Sequence, residues 1–395
     1  MKLRLALGAC LCVSLLGGAT PLQAQIFCEG DACSLLPLST NDLNAMLYAF
    51  KFQYSDELFT DMAEAAALAN IAQAPIGSVH LHRFAAGGYA GVGVLEPREI
   101  PVYIPGVGVL DPIPAGGVGI NPRVFLGVNL GWLMGQGYRP FSGDKRPGPF
   151  SPARFDIYIN GVEFSENQSA GGLSGFEPQL TTDASGESAE VKFVPTTSQE
   201  SYNIQAFSRG AELRYHLMEG QGSTVAARWY GLSLGMGYGV SRQEISARQA
   251  EQQLGFQVEV EGTDADLIWQ GSNFLNWTTR VSTATADVKT GVQFLYFFNI
   301  TVVAGVAQSN GKSEFLLSRT GPVFLASDLE AVYGIDLPDA FLTLVLTGEG
   351  RPRSTTPYGK LGLGFNLGPL KIQAELLYTD RARETGGTIG AHIQF

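Results

Sequence analysis

The sequence predicts an all-β protein: a transmembrane antiparallel β-barrel of about 14 strands, with limits of about 12 and 16, after a short N-terminal helical segment. Three observations lead to this prediction. From Ser78 onward, apolar residues alternate with small or polar ones, as strand side chains do when the two faces meet different surroundings. The 395 residues include 49 glycines, and only 16% are charged. The last stretch is an apolar strand that ends on Phe395.

Residues 1–24 have the composition of a secretory signal peptide. Lys2 and Arg4 form the positive start, an apolar core follows, and small residues allow cleavage after Ala24. A lipoprotein box that ends at Cys10 is the alternative, although only nine residues precede that cysteine. The sequence therefore predicts secretion across the inner membrane.

Residues 25–77 form a distinct N-terminal segment with different periodicity. Cys28 and Cys33 remain after cleavage, and an oxidising periplasm favours a disulfide between them. Metal binding is the alternative, but two ligands are too few for a structural zinc site. Helical spacing of apolar residues predicts two helices, near 40–52 and 55–75. We expect these helices to plug the lumen or cover its periplasmic mouth; packing outside the first strands is the alternative.

Residues 78–395 are predicted to form the barrel. The segment 121–135 is among the clearest strands, because its apolar residues share one face and its small or polar residues share the other. Both ends of the barrel are expected in the periplasm, which makes the number of strands even. The longest external loops are predicted at 95–120 and 164–186.

Two segments do not fit the strand pattern well. Segment 136–152 is long for a periplasmic turn, and segment 242–254 suits a helix or a charged strand equally. Their roles stay open at the level of sequence.

The polar face of the strands predicts a charged wall inside the lumen. Glu212, Arg214 and His216 alternate along one strand. Other charged residues and one histidine fall on the last three strands, which are consecutive. The predicted lumen wall comprises Glu212, Arg214, His216, Lys360, Lys371, Glu375 and His392. Such a wall suits a solute path, and a salt-bridged interior without a specific cargo is the alternative.

Composition and motifs exclude several classes of function. The formal net charge of −11 leaves no basic stripe for nucleic acid. The glycine clusters lie inside predicted strands, so they do not form the strand-to-helix loop that binds nucleotides. His80 and His82 share a face, but two ligands make a weak metal site. We therefore predict no enzymatic activity, no cofactor and no metal.

The signal peptide, the alternating strands and Phe395 together resemble Gram-negative outer-membrane β-barrel proteins. That resemblance implies location in the bacterial outer membrane and contact with its lipid. It also implies that the terminal strand, with Phe395 as the assembly signal, is recognised by the barrel-assembly machinery. In the same way, the chain is similar in architecture to the long-chain fatty-acid transporters, although it lacks their Asn-Pro-Ala opening.

A second resemblance is to spirochaetal, leptospiral-type surface proteins. It rests on CEGDAC directly after the signal peptide, the helical segment, and FLGVNLGWL at 125–133. Some proteins of that kind are adhesins that bind extracellular matrix, so the resemblance implies exposure at the cell surface.

Two functional hypotheses follow from these patterns. The first is an outer-membrane channel or transporter for a small solute, with the N-terminal helices plugging or bracing its mouth. The alternative is a surface-exposed structural or adhesive barrel that binds an extracellular ligand through its external loops. The sequence does not identify the solute or the ligand.

Overall fold

In the computed structural model, the described residues are 24–30, 33, 36, 39–72, 80–104, 108–136, 147–182, 189–222, 226–260, 263–326 and 340–395. The predicted signal peptide, apart from Ala24, lies outside them. So does most of segment 136–152, of which only 136 and 147–152 are described.

The described elements are mainly strands. In chain order they are β1 (Gln25–Glu29), α1 (Thr40–Phe50), α2 (Asp56–Ala72), β2 (Phe84–Ile100), β3 (Tyr103–Ile104), β4 (Gly108–Val109), β5 (Ile113–Asn129), α3 (Leu130–Leu133), β6 (Phe155–Thr182), β7 (Ala189–Gly222), β8 (Ala227–Val260), β9 (Thr263–Phe294), β10 (Phe298–Ala326), β11 (Ala340–Gly350), β12 (Thr355–Leu367), β13 (Leu370–Thr379) and β14 (Glu384–Gln394). A π-helical turn, Lys51–Ser55, joins α1 to α2.

Ten of the described strands close into an antiparallel ring. The order around the ring is β2, β5, β6, β7, β8, β9, β10, β12, β13 and β14, and β14 pairs with β2 to close it. The closing pair runs from Glu384 opposite Leu95 to Gln394 opposite Ala85. The predicted antiparallel β-barrel is therefore confirmed. Where the strands of the ring are paired on both sides, no strand edge is left exposed to lipid, as a membrane barrel requires; β5 and β6 pair over six residues, Val124–Asn129 with Asp156–Gly161.

The strand count differs from the prediction of about 14 membrane strands in one ring. Among the described residues there are 14 strands, but β3 and β4 form a separate hairpin, and β1 and β11 lie above the ring. β11 and β12 pair with successive parts of the same long strand, β10. The end of β11, Gly350, lies opposite Ser313, and the start of β12, Thr355, lies opposite Gln308. β1 then pairs with the outer edge of β11.

We call the end of the barrel where β2 begins and β14 ends the terminal end, and the opposite end the loop end. Strands β6 to β10 are 28 to 34 residues long, whereas β12 to β14 have 10 to 13 residues. The long strands continue beyond the ring at the loop end. Their continuation overturns part of the predicted loops: 164–182 belongs to β6, and the open segment 242–254 lies within β8. The predicted loop 95–120 shortens to the hairpin region between β2 and β5.

One turn was missed for a clear reason. β9 and β10 are joined by a turn at Leu295–Phe297, although apolar residues continue through this stretch of the sequence. Leu295 and Tyr296 have φ angles of 51° and 66°, in the region that normally favours glycine. The turn carries exposed apolar side chains instead of glycine, asparagine or proline, so it gave no turn signal.

The outer face of the ring is apolar. Along β5, for example, the exposed residues are Val118, Ile120, Val124 and Leu126. Gly119 and Phe125, which lie between them in the chain, are buried. At the terminal end the rings of Phe84 and Phe395 lie 5.0 Å apart on this face. Such an aromatic group at the edge of the apolar belt is typical of membrane barrels.

The N-terminal segment lies at the loop end. Apolar residues of β1, β9, β10 and β11 form a core that packs against α1, and Cys28 and Cys33 contact it. These two cysteines form a disulfide, with a Cα–Cα distance of 5.8 Å. The Asn44 side chain bonds the backbone N–H and C=O of Ile26, which covers the free edge of β1. We call this unit, formed by α1, β1, β11 and the adjoining ends of β9 and β10, the head.

Candidate functional site

The lumen of the barrel is occupied by α2. Asp56 and Glu57 lie in its first turn, where carboxylates offset the helix dipole, and alanine fills much of the rest. The helix contacts β2 and β5 on one side of the ring and β9, β10 and β11 on the other. Every residue from Ala63 to Ala72 is buried. The sequence predicted this helix, and the structure places it in the lumen, where the barrel wall surrounds it.

Small residues allow α2 to lie close to the wall. Gly93 and Gly119 lie directly opposite each other on β2 and β5. A β-carbon on Gly119 would stand 2.6 Å from the carbonyl carbon of Ala65, and one on Gly93 would stand 2.6 Å from Cβ of Leu68. Because real β-carbons do not approach so closely, these two positions accept only glycine while α2 is in place.

Arginines at the loop end bind the acidic side of α2. Arg383 lies 3.4 Å from the carboxylate of Asp61, and Arg381 lies 3.4 Å from that of Glu64. Arg98 also contacts Asp61, at 3.5 Å. The two carboxylates are buried, whereas the arginines are partly exposed and therefore screened by solvent.

The C-terminal end of α2 is held deeper in the lumen. Lys360 Nζ donates to the carbonyl oxygen of Ile71 at 2.5 Å, and the Thr388 hydroxyl donates to that of Ala72. The last carbonyls of a helix have no partner within the helix, and a lysine there also offsets the dipole. Asn70 accepts from Asn121 at 2.6 Å. Polar contacts thus fix both ends of α2.

A network of buried ion pairs lies in the middle of the lumen. Arg214 contacts Glu212 at 2.7 Å and Asp287 at 2.9 Å. Lys289 lies 3.3 Å from Glu375. Arg214 and Lys289 are each only 1% exposed. Ion pairs this deeply buried need all their partners, because an uncompensated charge there is costly. In this conformation the lumen is filled at their level.

The structure places the predicted wall residues as follows. Glu212, Arg214, His216, Lys360, Glu375 and His392 are all buried on the inner face. Lys371 is half-buried and bonds the Gln394 side chain, and its register partner on β14 is His392. The residues do not form one wall: His216 belongs to a different cluster at the terminal end.

That terminal-end cluster consists of His80, Asn129, Asp156 and His216, all buried. Asp156 accepts hydrogen bonds from the Leu81 N–H at 3.0 Å, from Asn129 at 2.8 Å and from His216 at 2.7 Å. Burial, and to a smaller extent the neighbouring His216, lowers the pKa of His80 to about 4. The segment before β2 is thereby tied to β5, β6 and β7.

Donor atoms of His80, Asp156 and His216 lie within 4.8 Å of one another, close enough to reach one metal ion. A metal must lie near the plane of each imidazole that binds it. The two histidine rings are instead stacked, with centroids 4.0 Å apart and planes 16° from parallel. No single point lies close to both planes, so this arrangement is a hydrogen-bonded seal and does not present both histidines to one ion.

Several interior residues were missed by the sequence analysis. Asp156, Asp287 and Lys289 belong to the networks above, and Arg123 donates to Asn160 at 2.6 Å. Each lies on the polar face of a strand, so the alternation itself could have identified them. Their partners are far apart in sequence and could not have been paired from it.

The fold and interior define a class: a transmembrane β-barrel whose lumen holds its own N-terminal helix. Among the described residues, no helix is long and apolar enough to span a membrane. The sequence model of the Lsa36-like family matches residues 21–395, and the chain belongs to this family of leptospiral surface proteins. This confirms the resemblance to spirochaetal surface proteins.

Comparison with solved structures returned outer-membrane barrels. The translocator domain of autotransporter NalP from Neisseria meningitidis is 10% identical, with 79% of this chain and 88% of that chain covered, at a TM-score of 0.23. The Pseudomonas putida toluene transporter TodX is 8% identical, with coverages of 84% and 94%, at 0.21. A Pseudomonas aeruginosa FadL homologue is 11% identical, with coverages of 86% and 98%, at 0.22. A search of curated proteins gave no match. With TM-scores this low, the fold assignment rests on the strand pairing described above.

Proposed function

We propose that this protein is an outer-membrane barrel that acts at the cell surface, as a binding protein whose working part is the loop end. The supporting observation is the contrast between a filled lumen and a long projection. β8 has 34 residues and β13 has 10. The excess of about 24 residues corresponds to roughly 80 Å of strand, or about 60 Å of height at a tilt of about 40°.

Conduction through the membrane does not require a projection of that length. The projection does present a broad antiparallel sheet, together with the head, to molecules outside the cell. Binding residues are commonly carried on such segments above a rigid scaffold. Family membership favours the same proposal, since surface exposure and matrix binding are what the spirochaetal resemblance implies.

The test removes the part of the projection that β6 and β7 form and keeps the barrel. Ser165 and Gln205 are register partners on β6 and β7, so deleting 166–204 leaves two paired strand ends for a short turn. Binding to a panel of immobilised extracellular-matrix proteins should fall at least tenfold. As a control, replacing the Gly368–Pro369 turn at the terminal end by Asn-Gly should leave binding unchanged. Undiminished binding by a deletion variant that still runs as a heat-modifiable barrel would refute the proposal.

A gated channel for a small solute is the second candidate. The observation that favours it is the way α2 is held: by alanine and glycine contacts and by polar groups at its ends, with few large interlocking side chains. A helix of this kind can leave the lumen without unpacking the ring. The wild-type protein should then be silent in planar bilayers, and a variant lacking 40–72 should give stepwise conductance. Silence of that variant, with the ring intact, would exclude a channel gated by α2.

A further inference from the structure

A row of three cations crosses the outer face of the barrel. Arg242 on β8 lies directly opposite Arg280 on β9, and Arg280 lies directly opposite Lys312 on β10. All three side chains are exposed, while neighbours such as Thr279 and Ser313 point inward and are buried. The row therefore faces outward from the ring.

Like charges directly opposite each other on neighbouring strands destabilise a sheet. The two outer cations have acidic partners: Arg242 contacts Glu244 at 2.7 Å, and Lys312 contacts Glu314. Arg280, in the middle, forms no ion pair within the part of the chain that the structure describes, and it has a cation on each side. An external anion would remove this repulsion.

The row lies where the apolar belt ends. On β8, the outward residues toward the terminal end are Met236, Tyr238 and Val240, and Arg242 is the next outward position. On β10, Val302 and Val306 belong to the belt, and Lys312 lies beyond it toward the loop end. In a membrane, this level is that of the lipid phosphate groups.

A cavity of about 370 Å³ adjoins the row. Its lining combines Arg242 and Arg280 with the apolar side chains of Phe207 and Val240. Glu163 also lines it and lies 3.8 Å from Arg209, which itself lies over the Phe207 ring. The cavity thus joins an anion-binding side to an apolar side, and it opens at the edge of the belt.

We propose that Arg242, Arg280 and Lys312 bind the phosphate group of a membrane lipid whose acyl chains lie along the apolar belt below. Guanidinium groups bind phosphate through two parallel hydrogen bonds, which suits the two adjacent arginines. A phosphorylated glycolipid and an anionic phospholipid share this chemistry, and the experiment separates them.

The purified, detergent-solubilised full chain is titrated with dioctanoyl phosphatidic acid, diphosphoryl lipid A, dioctanoyl phosphatidylcholine and inorganic phosphate, with native mass spectrometry as the readout. At least one of the two anionic lipids should bind ten times more tightly than phosphatidylcholine, and the tighter one identifies the source of the phosphate. Arg280→Gln should weaken that binding at least tenfold.

Arg351→Gln is the matched control, because Arg351 is an exposed, ion-paired arginine outside the row, 3.3 Å from Glu349. It should leave lipid binding unchanged. Equal binding by wild type and Arg280→Gln would overturn the proposal, as would equal losses in both variants. If inorganic phosphate binds as tightly as either anionic lipid, the row is a site for a free anion and the lipid assignment is wrong.

Discussion

Substituting valine for both Gly93 and Gly119 should drive α2 out of the lumen. Each new β-carbon would stand 2.6 Å from a carbon atom of the helix, at Leu68 and Ala65 respectively. Non-bonded carbons rest at about 3.5–4.0 Å, so the helix must retreat by roughly 1 Å or more. Because Gly93 is paired on both sides, with Gly386 on β14 and Gly119 on β5, we expect the helix to move.

Overpacking of this kind costs about 1–3 kcal/mol per site. The two glycines are register partners, so their effects are coupled, and we expect about 2–5 kcal/mol for the pair. That free energy multiplies the population of the displaced helix by roughly 30 to several thousand.

The assay measures exposure of the helix through a single reporter thiol. Ala67 is 3% exposed and packs beside Val281, away from the two glycines, so Ala67→Cys reports on displacement. Its labelling by a maleimide in detergent should accelerate at least 30-fold when both valines are present. Gly359→Val is the control, because a β-carbon there would meet its nearest neighbour, the Val303 carbonyl oxygen, at an ordinary 3.7 Å.

A labelling rate within twofold of the parent, in a variant that still runs as a folded barrel, would refute the close packing of α2 against the wall. If the double variant does not assemble, Gly119→Ala alone applies the same clash with one methyl group. It should still accelerate labelling relative to Gly359→Ala.

Three further outcomes are expected. Phe395→Asp should abolish heat-modifiable barrel in membranes, because it removes a ring that packs 5.0 Å from that of Phe84 on the outer face of the seam and places a carboxylate there; normal assembly of this variant would contradict that role. His80 has a pKa of about 4 in the folded protein, below its ordinary value of 6.5, so the unfolded chain binds more protons between these values, and stability should fall as pH drops from 7 to 4. His80→Gln should flatten this slope in thermal melts, and an unchanged slope would assign it to other groups. Replacing Cys28 and Cys33 by serine should speed amide hydrogen exchange in β1 and β11, while equal exchange at the β14–β2 seam serves as the internal control.

The alternating pattern predicted the barrel because every strand has one face toward lipid, which requires apolar residues, and one face toward a polar lumen. Strand ends were harder, since the pattern continues where β6 to β10 leave the membrane level. The apolar turn at Leu295–Phe297 carried no sequence sign of reversal. Helix α2 was predicted from spacing, but its location depends on contacts with β9, β10 and β14, far away in the chain.

The sequence predicted which residues of the candidate site face the lumen, but it did not predict which residues they contact. Arg214 and Glu375 were assigned to the inner face from alternation alone. Their contacts with Asp287 and Lys289 cross from one strand to another around the ring, over 73 and 86 residues of chain. His216 is the clearest example of a partner that the sequence did not predict. It bonds Asp156, which lies 60 residues earlier in the chain and belongs to the cluster at the terminal end.

The position of α2 constrains the order in which the molecule can be built. The helix is joined at one end to the head, a packed unit with its own apolar core, and its other end leads to β2. Threading β1 and α1 through a finished ring would require them to separate from each other and from β11. The helix must therefore be in place while β14 and β2 are still apart, and pairing of these strands encloses it. Closure of the seam then leaves the connection from the head to β2 running through the lumen, so any later movement of the helix is along the lumen and not across the wall.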